Sequence, residues 1–283
     1  MMPITRIEIP YFPGDKRIAL TTSWDDGTVH DRRLIAYFNQ IGLKGTFNLN
    51  STFLRRLPTD PPRHLERSEV AELMQGHEVA IHTLDHPHLP LIDASQIAQQ
   101  VLQDRIELEE IVGYPVRGMA YPFGTYNPRV IELLRGLGIV YSRTTETTAN
   151  PWPAAEPLAW AATGHMFAEK DGLPMGQYFE KWYQNPRSRG LFFLWGHSYE
   201  FDQNDRWGKM AEIIGPMAGK PDVWYCTNMA LFDYEDARQR LILAANRRTA
   251  YNPSALPVTI KINGTKLVDI PAGTLVDLEP YAT

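Results

Sequence analysis

Cysteine is almost missing from this chain: Cys226 is the only one in 283 residues. No intrachain disulfide can form, so the fold rests on its core. Cys226 lies in the apolar run Val223-Trp224-Tyr225-Cys226-Thr227, which marks a packed thiol rather than a reactive one. There is no Lys/Arg-rich run, and the net charge is −5 with a pI near 5.9. That balance speaks against a nucleic-acid partner and against an anionic membrane surface. No stretch approaches the length of a membrane span and no apolar signal-like segment stands at the N-terminus, so the expected location is cytoplasmic. Internal repeats and low-complexity segments are also missing. What remains is ordinary for a globular protein, 43% hydrophobic and 22% charged residues. The length suits one large domain, or one with a small appendage.

Along the chain, apolar strand-like runs alternate with helical periodicities. Residues 1–16 are irregular or an edge segment. A strand runs through Ile18-Ala19-Leu20 to about Trp24, followed by a helix over 31–41 closed by Gly42. Further strands are expected at 45–50, 78–82, 119–121, 139–142, 191–195 and 223–226. Helices are expected at 68–74, 95–112, 128–137, 207–217 and 230–246, with a Pro- and Arg-containing loop after Asn50. This alternation predicts parallel βα units closed into an α/β barrel. Residues 144–189 are less regular and rich in Pro and aromatics; Trp152, Trp160, Tyr178, Phe179, Trp182 and Tyr183 are read as packing. The tail differs: 258–262 and 266–270 alternate around Asn263-Gly264, a hairpin signal. Asn263-Gly264-Thr265 also matches a glycosylation sequon, but a type I′ turn explains it better. The expected division is a catalytic barrel over 1–250 and a C-terminal β-hairpin appendage over 251–283.

The chemistry collects where strands end, which in a barrel is the functional face. Asp25 and Asp26 are adjacent at the end of the first buried strand, with Gly27 to turn the chain. Neighbouring strand side chains face opposite ways, which suits one carboxylate to a metal and the other to a proton. The competing reading is a cap for the helix that starts near His30. His82 and His86 form a His-x-x-x-His pair after another strand. Thr83 stands where a helical zinc protease needs Glu, and Pro87 indicates a loop, so the pair is not that motif. Two His and one carboxylate form a common divalent-metal set, the alternative being two structural loop histidines. His77 and His88 are assigned to structure. His165 stands in the irregular segment near the site without an assigned role.

Five stretches, in order, resemble the motifs of the polysaccharide deacetylases, the NodB-like carbohydrate esterases of family 4. They are Thr22-Ser23-Trp24-Asp25-Asp26-Gly27, His82-Thr83-Leu84-Asp85-His86, Ala120-Tyr121-Pro122-Phe123-Gly124, the region of Tyr141-Ser142-Arg143-Thr144, and Leu194-Trp195-Gly196-His197. The resemblance covers about residues 18–235 and implies a distorted (β/α)7 barrel, the NodB homology fold, with a small C-terminal β appendage. It implies a hydrolase acting on non-peptide C–N bonds that removes N-acetyl groups from an oligo- or polysaccharide by metal-activated water. Asp25 would be the base, His197 the acid, and Asp26, His82 and His86 the ligands of a divalent metal, Zn2+ first with Ni2+ or Co2+ as alternatives. Tyr121, Phe123 and Trp195 would line the substrate, with the Phe123 N–H on the oxyanion.

The sequence departs from the family pattern in three places. The third motif's Arg falls at Ala120, and Arg143 is the preferred substitute for holding Asp25, an ordinary ion pair being the alternative. The fourth motif's Asp and Trp are missing. Trp195 replaces the Leu of the fifth motif. Two other functions compete: an amidase or cyclic-imide hydrolase of the allantoinase-like kind, and an idle carbohydrate-binding homologue. The expected partner is a carbohydrate, with no nucleic acid and no membrane; homo-oligomerisation is left open.

Overall fold

Strands and helices alternate along the chain in a computed structural model that describes residues 4–54, 63–203 and 205–281. After the short β1 (Ile7–Glu8) come β2 (Ile18–Asp25), α1 (Asp31–Ile41), β3 (Thr46–Leu49), α2 (Ser51–Leu54), α3 (Arg67–Leu73), β4 (Glu78–Ile81), α4 (Ala94–Val112), β5 (Gly118–Ala120), α5 (Pro128–Gly136) and β6 (Tyr141–Thr147). Then follow β7 (Trp160–Ala162), β8 (Gly164–His165), β9 (Glu169–Lys170), β10 (Leu173–Pro174), α6 (Met175–Gln184), β11 (Gly190–Gly196), α7 (Tyr199–Asp202), α8 (Trp207–Ile214), β12 (Val223–Tyr225) and α9 (Asn228–Arg240). The chain ends with β13 (Ile242–Leu243), β14 (Thr249–Asn252), β15 (Val258–Ile262), β16 (Lys266–Ile270) and β17 (Thr274–Asp277). Most of the loop expected after Asn50, residues 55–62, lies outside the described residues.

The described residues fall into two compact units. The larger is Leu20–Lys220 with Tyr225–Met229; the smaller takes the described parts of Met1–Ala19, Pro221–Trp224 and Ala230–Thr283. The larger is built on one sheet in the order β7-β6-β5-β4-β3-β2-β11-β8. Neighbouring strands from β2 to β7 run parallel, as do β11 and β8. The two outermost strands, β7 and β8, are separated in the chain by Thr163 alone. Its N–H donates to Phe193 O on β11 at 2.8 Å, so the sheet curls round until its edges meet. The result is a distorted parallel α/β barrel.

Local sequence accounts for these elements. Every residue of β2 is buried, as a strand covered on both faces requires, and its sequence reads as a continuous run rather than an alternation. On α1, Leu34, Ile35 and Phe38 are buried, and the helix closes with Gly42 N–H on Phe38 O. On α4, Asp93 and Gln96 form a reciprocal capping box. Most expected boundaries moved by three residues or fewer, and two moved further. The strand expected at 139–142 starts at Tyr141, opposite Gly118, and extends to Thr147, because its far end pairs with Ala162 of β7. The helix expected to reach Asn246 stops at Arg240, because Ile242 and Leu243 pair antiparallel with Tyr251 and Ala250. The segment 144–189 is more regular than its composition predicts. Its aromatics pack: Trp160 on Phe193 and Trp152, and Phe179 and Trp182 on Phe192.

The smaller unit has its own core, which includes Val258, Ile260 and Ile262 from β15 and Val268 and Ile270 from β16. Asn263 and Gly264 both have positive φ, 51° and 78°, as a type I′ hairpin turn demands. The Asn263 side chain accepts from Thr5 N at 3.0 Å and Arg6 N at 3.2 Å.

Candidate metal and catalytic site

The site sits at the C-terminal ends of the parallel strands. Asp25 ends β2, and Asp26 follows with φ 79°. Gly27 is also left-handed (φ 60°), and a Cβ on it would meet Leu49 Cδ2 at 2.9 Å. The backbone therefore turns from Asp26 onward, and a side chain on Gly27 would be strained and would press on Leu49. Thr83, His86 and Phe123 share the left-handed conformation. Such conformations cost energy and persist where a loop must aim a particular group. Neither Asp caps α1, whose N-cap residue is His30, with no side-chain cap.

Asp26 turns toward His82 and His86. Its Oδ1 lies 3.6 Å from His82 Nε2 and 3.8 Å from His86 Nε2, and the two Nε2 atoms are 3.1 Å apart. His82 Nδ1 lies 2.8 Å from Ala120 O. A carbonyl can only accept, so Nδ1 carries the proton and the Nε2 lone pair faces the other two groups. Three donor atoms thus converge with separations close to the edge, about 3.4 Å, of a tetrahedron with ~2.1 Å metal–ligand bonds. Two imidazoles and one carboxylate suit a divalent ion, so the residues present fit the metal that the family pattern implies. Burial and the neighbouring His82 lower the His86 pKa. The His82 loop is braced from behind. Asp104, fully buried on α4, accepts from His82 N at 3.2 Å and Ser51 N at 2.7 Å, and the Asn50 amide donates to His82 O and Thr83 O.

Asp25 faces the other way and is 3% exposed. Asn48 Nδ2 donates to its Oδ1 at 2.8 Å, and the wholly buried Arg143 donates from Nη2 to its Oδ2. His197 Nε2 is 3.9 Å from the same oxygen. Burial, the largest single influence on Asp25, raises its pKa. Arg143, His82 and His197 together outweigh it and leave the carboxyl below its ordinary value. Arg143 also lies over the Trp195 ring at 4.6 Å.

His197 follows β11, beside Glu200. Glu200 Oε1 is 3.6 Å from His197 Nδ1, an ion-pair distance beyond hydrogen-bond reach, and Oε2 is 3.0 Å from His165 Nε2. Burial lowers the His197 pKa, but Glu200 and the two aspartates outweigh it, and the net shift is upward. Burial raises that of Glu200, and the two histidines pull it down further than burial lifts it. The donor atoms of His165, His197 and Glu200 lie within 4.8 Å of one another; a carboxylate between two imidazoles accounts for them as an ion-pair cluster.

The other expected site residues divide. Phe123 is 55% exposed, with its ring 4.4 Å from that of His86. Trp195 sets its edge against His165, and its buried indole N–H has no partner among the described residues. Tyr121 is buried, donates to Leu158 O at 2.7 Å and stacks on Tyr126, so its side chain supports the loop. His77 is structural: Gly45 N–H donates to its Nδ1 at 3.1 Å, and burial first, then Lys44, brings its pKa down to about 4. Sequence reasoning missed Asn48, Asp104 and Glu200, and also Asp31. Asp31 is fully buried, and burial pushes its carboxyl up to about 8.

The parallel barrel, with an Asp-His-His cluster and a facing Asp and His at its strand ends, has the architecture of the NodB homology fold. Residues 13–142, a little under half of the chain, match the family model described as polysaccharide deacetylase. The peptidoglycan-N-acetylglucosamine deacetylase PgdA of Listeria monocytogenes is 29% identical over 135 residues, covering 47% of this chain and 27% of that protein. The match therefore spans about a quarter of the relative's length. A solved structure assigned to the polysaccharide deacetylases, from Mycobacterium smegmatis, shares 18% identity at a TM-score of 0.59, covering 84% of this chain and 95% of that one. At that identity the likeness is one of fold, and it extends well past the matched stretch. A family 4 pseudoenzyme from Bacillus anthracis is also similar, at 15% identity, a TM-score of 0.47, and 78% and 66% coverage. Among the described residues, no helix is long and apolar enough to cross a membrane.

Proposed function

We propose that this chain is a metal-dependent hydrolase that removes the acetyl group from an N-acetylated sugar unit of a saccharide. One observation carries the reading. Adjacent carboxylates are split between two tasks, Asp26 toward two histidines and Asp25 toward Arg143 and His197. The name of the Listeria relative supports an N-acetylated amino sugar as the substrate class.

A divalent cation held by Asp26, His82 and His86, Zn2+ first with Ni2+ or Co2+ fitting the same ligands, supplies Lewis acidity that makes water more acidic and the acetyl carbonyl more electrophilic. Asp25, held ionised by Arg143 and oriented by Asn48, takes a proton from the attacking water. The Phe123 N–H offers a hydrogen bond to the carbonyl oxygen as negative charge gathers there. His197, whose protonated form Glu200 favours, gives a proton to the departing nitrogen. The C–N bond breaks, and acetate and a free amine result.

The test compares wild type with Asp25→Asn and His82→Ala for metal content and for acetate release from N-acetylglucosamine oligomers. Asp25→Asn is expected to keep its metal and lose about 10²–10⁴-fold in kcat. His82→Ala is expected to lose metal and activity together. Oligomer turnover surviving in Asp25→Asn would sink the reading. Turnover of cyclic imides alone would move the chain to the amidases.

A further inference from the structure

Asp25 and His197 stand on different strands, so their separation must be set by what joins the two. Asp25 ends β2, and His197 follows β11, which lies beside β2 in the sheet. One residue earlier on each strand the chains pack closely: a Cβ on Gly196 would meet the Trp24 ring at 3.2 Å. The His197 ring has little hold of its own. Its buried Nδ1 has no hydrogen-bond partner among the described residues, with Glu200 Oε1 3.6 Å away, and its Nε2 is 3.9 Å from Asp25 Oδ2. The rings of Trp195 and Tyr199 restrict it by contact alone. Where the imidazole stands is therefore decided largely by its backbone.

That backbone is tied at the next residue. The Ser198 hydroxyl is fully buried and lies 2.9 Å from the hydroxyl of Thr28. Thr28 comes two residues after Asp26, in the loop that carries both carboxylates, so the bond joins the two halves of the site. The Thr28 end is firmly held. Val29 N–H donates to Arg63 O at 3.1 Å and Leu65 N–H to Gly27 O at 2.9 Å, pairing Thr28 with His64 in an antiparallel bridge, and Asp31 N–H donates to Thr28 O at 3.0 Å. Ser198 only opens the four-residue α7, so it is the partner that gains a fixed place. Asp31 backs the pair. It is fully buried, and its carboxyl oxygens have no other partner among the described residues. Burial raises its pKa, and the Ser198 hydroxyl is the first of the influences that oppose burial. One hydroxyl both donates and accepts, so Ser198 can serve Thr28 and Asp31 together.

We infer that Thr28 and Ser198, backed by Asp31, are positioning residues whose hydrogen bond holds His197 where it can deliver a proton to the departing nitrogen. The inference rests on the deacetylase reading for the roles of Asp25 and His197. Proton delivery is sensitive to position, and the need for it depends on the leaving group. An amine must be protonated to leave, whereas para-nitrophenolate leaves without a proton. A loosened His197 therefore slows an amide and spares an activated ester. Damage to the metal cluster or to Asp25 slows both.

The experiment compares zinc-loaded wild type, Ser198→Ala, Thr28→Val and Thr28→Ser on N-acetylglucosamine oligomers and on para-nitrophenyl acetate. Metal content and melting curves check each protein. Ser198→Ala and Thr28→Val remove opposite ends of one bond, so either suffices where the other does not fold. Both are expected to lose about 10- to 100-fold in kcat on the amide at unchanged KM, and to stay within about threefold of wild type on the ester. Thr28→Ser keeps the hydroxyl and is expected to restore the amide rate that Thr28→Val loses. Equal losses on amide and ester, or no loss on the amide, overturn the tie. If wild type fails on either substrate, NMR titration of the His197 ring decides instead. Its pKa is raised from 6.5. Ser198→Ala is expected to move it back toward that value, and an unmoved pKa overturns the inference. Failure of wild type on the amide ends the deacetylase reading, whichever way the titration falls.

Discussion

Replacing Arg143 by methionine perturbs the pair at the centre of the site. The guanidinium is fully buried, donates to Asp25 Oδ2 and lies over Trp195. Methionine has a similar unbranched stem and no charge, so Asp25 would keep Asn48 as a neutral donor and lose its cation. Removing one member of a buried ion pair costs about 3–5 kcal/mol, and Asp25, 3% exposed, has little solvent to soften the loss. The pKa of Asp25 is lowered from 3.8 in the folded protein. It therefore adds stability above the unfolded value, and that contribution is lost as pH falls through the folded one. Without Arg143, burial, which raises the pKa, is opposed chiefly by His82 and His197. The carboxyl moves up, and the neutral-pH stabilisation shrinks. In the proposed mechanism the base acts in its ionised form, so the acid limb of the pH–rate profile is expected to move to higher pH. Acetate release by zinc-loaded Arg143→Met, followed from about pH 5 to 10, is expected to fall about 10²-fold in kcat at neutral pH and to recover partly in alkali. Thermal melts should show a matching loss of stability. A kcat within about threefold of wild type, with the acid limb unmoved, would refute the idea that Arg143 tunes and holds the base.

Glu200→Gln removes the charge that favours protonated His197. The folded pKa of His197 is raised from 6.5, so its stabilisation is present below that value and fades as pH rises through the folded one. The variant's alkaline limb should move to lower pH at unchanged KM, and an unmoved limb in the pH–rate profile rejects the role. Asp31→Asn tests the buried carboxyl. With its pKa raised from 3.8 to about 8, the folded state holds a proton that the unfolded chain releases, and stability falls across that interval. The variant should melt above wild type near pH 8 but not near pH 4 (about the two ends of the interval); an equal difference at both by calorimetry contradicts this. Gly264→Val puts a β-branched residue at φ 78° and should cost about 1–2 kcal/mol, read as a lower melting temperature. No loss would mean that the turn relaxes.

The residues that could be found in the sequence are those that break an apolar run at its end. Asp25, Asp26, His82 and His197 each follow a continuous strand, and a parallel barrel collects such positions on one face whatever the loops do. Boundaries were less legible where pairing partners lie outside the local pattern. Leu241-Ile242-Leu243 follows α9 with no Gly or Pro to stop the helix, and only antiparallel pairing with 250–251 turns that run into a strand. Asn48 was hidden for a related reason. It meets Asp25 because β2 and β3 pair in a register that sets the two side by side, and a single sequence does not display register between strands.

The supporting carboxylates did leave a trace, though of another kind. On α4, Ile97, Val101 and Leu108 are buried at steps of four and seven, and Asp104 occupies the intervening position of the same stripe. A charge in the apolar phase of a helix cannot face water; it must find donors, and Asp104 finds the N–H groups of Ser51 and His82. Arg143 follows the same logic on a strand, in a run buried from Tyr141 to Thr144. Glu200 stands three residues after His197, which places its carboxylate within reach of that ring only if the chain turns into a helix there, as α7 does. A charged residue that keeps the phase of a buried face therefore indicates a support for the site as directly as a histidine at a strand end indicates the site itself, because burying it alone would cost more than the fold has to spare.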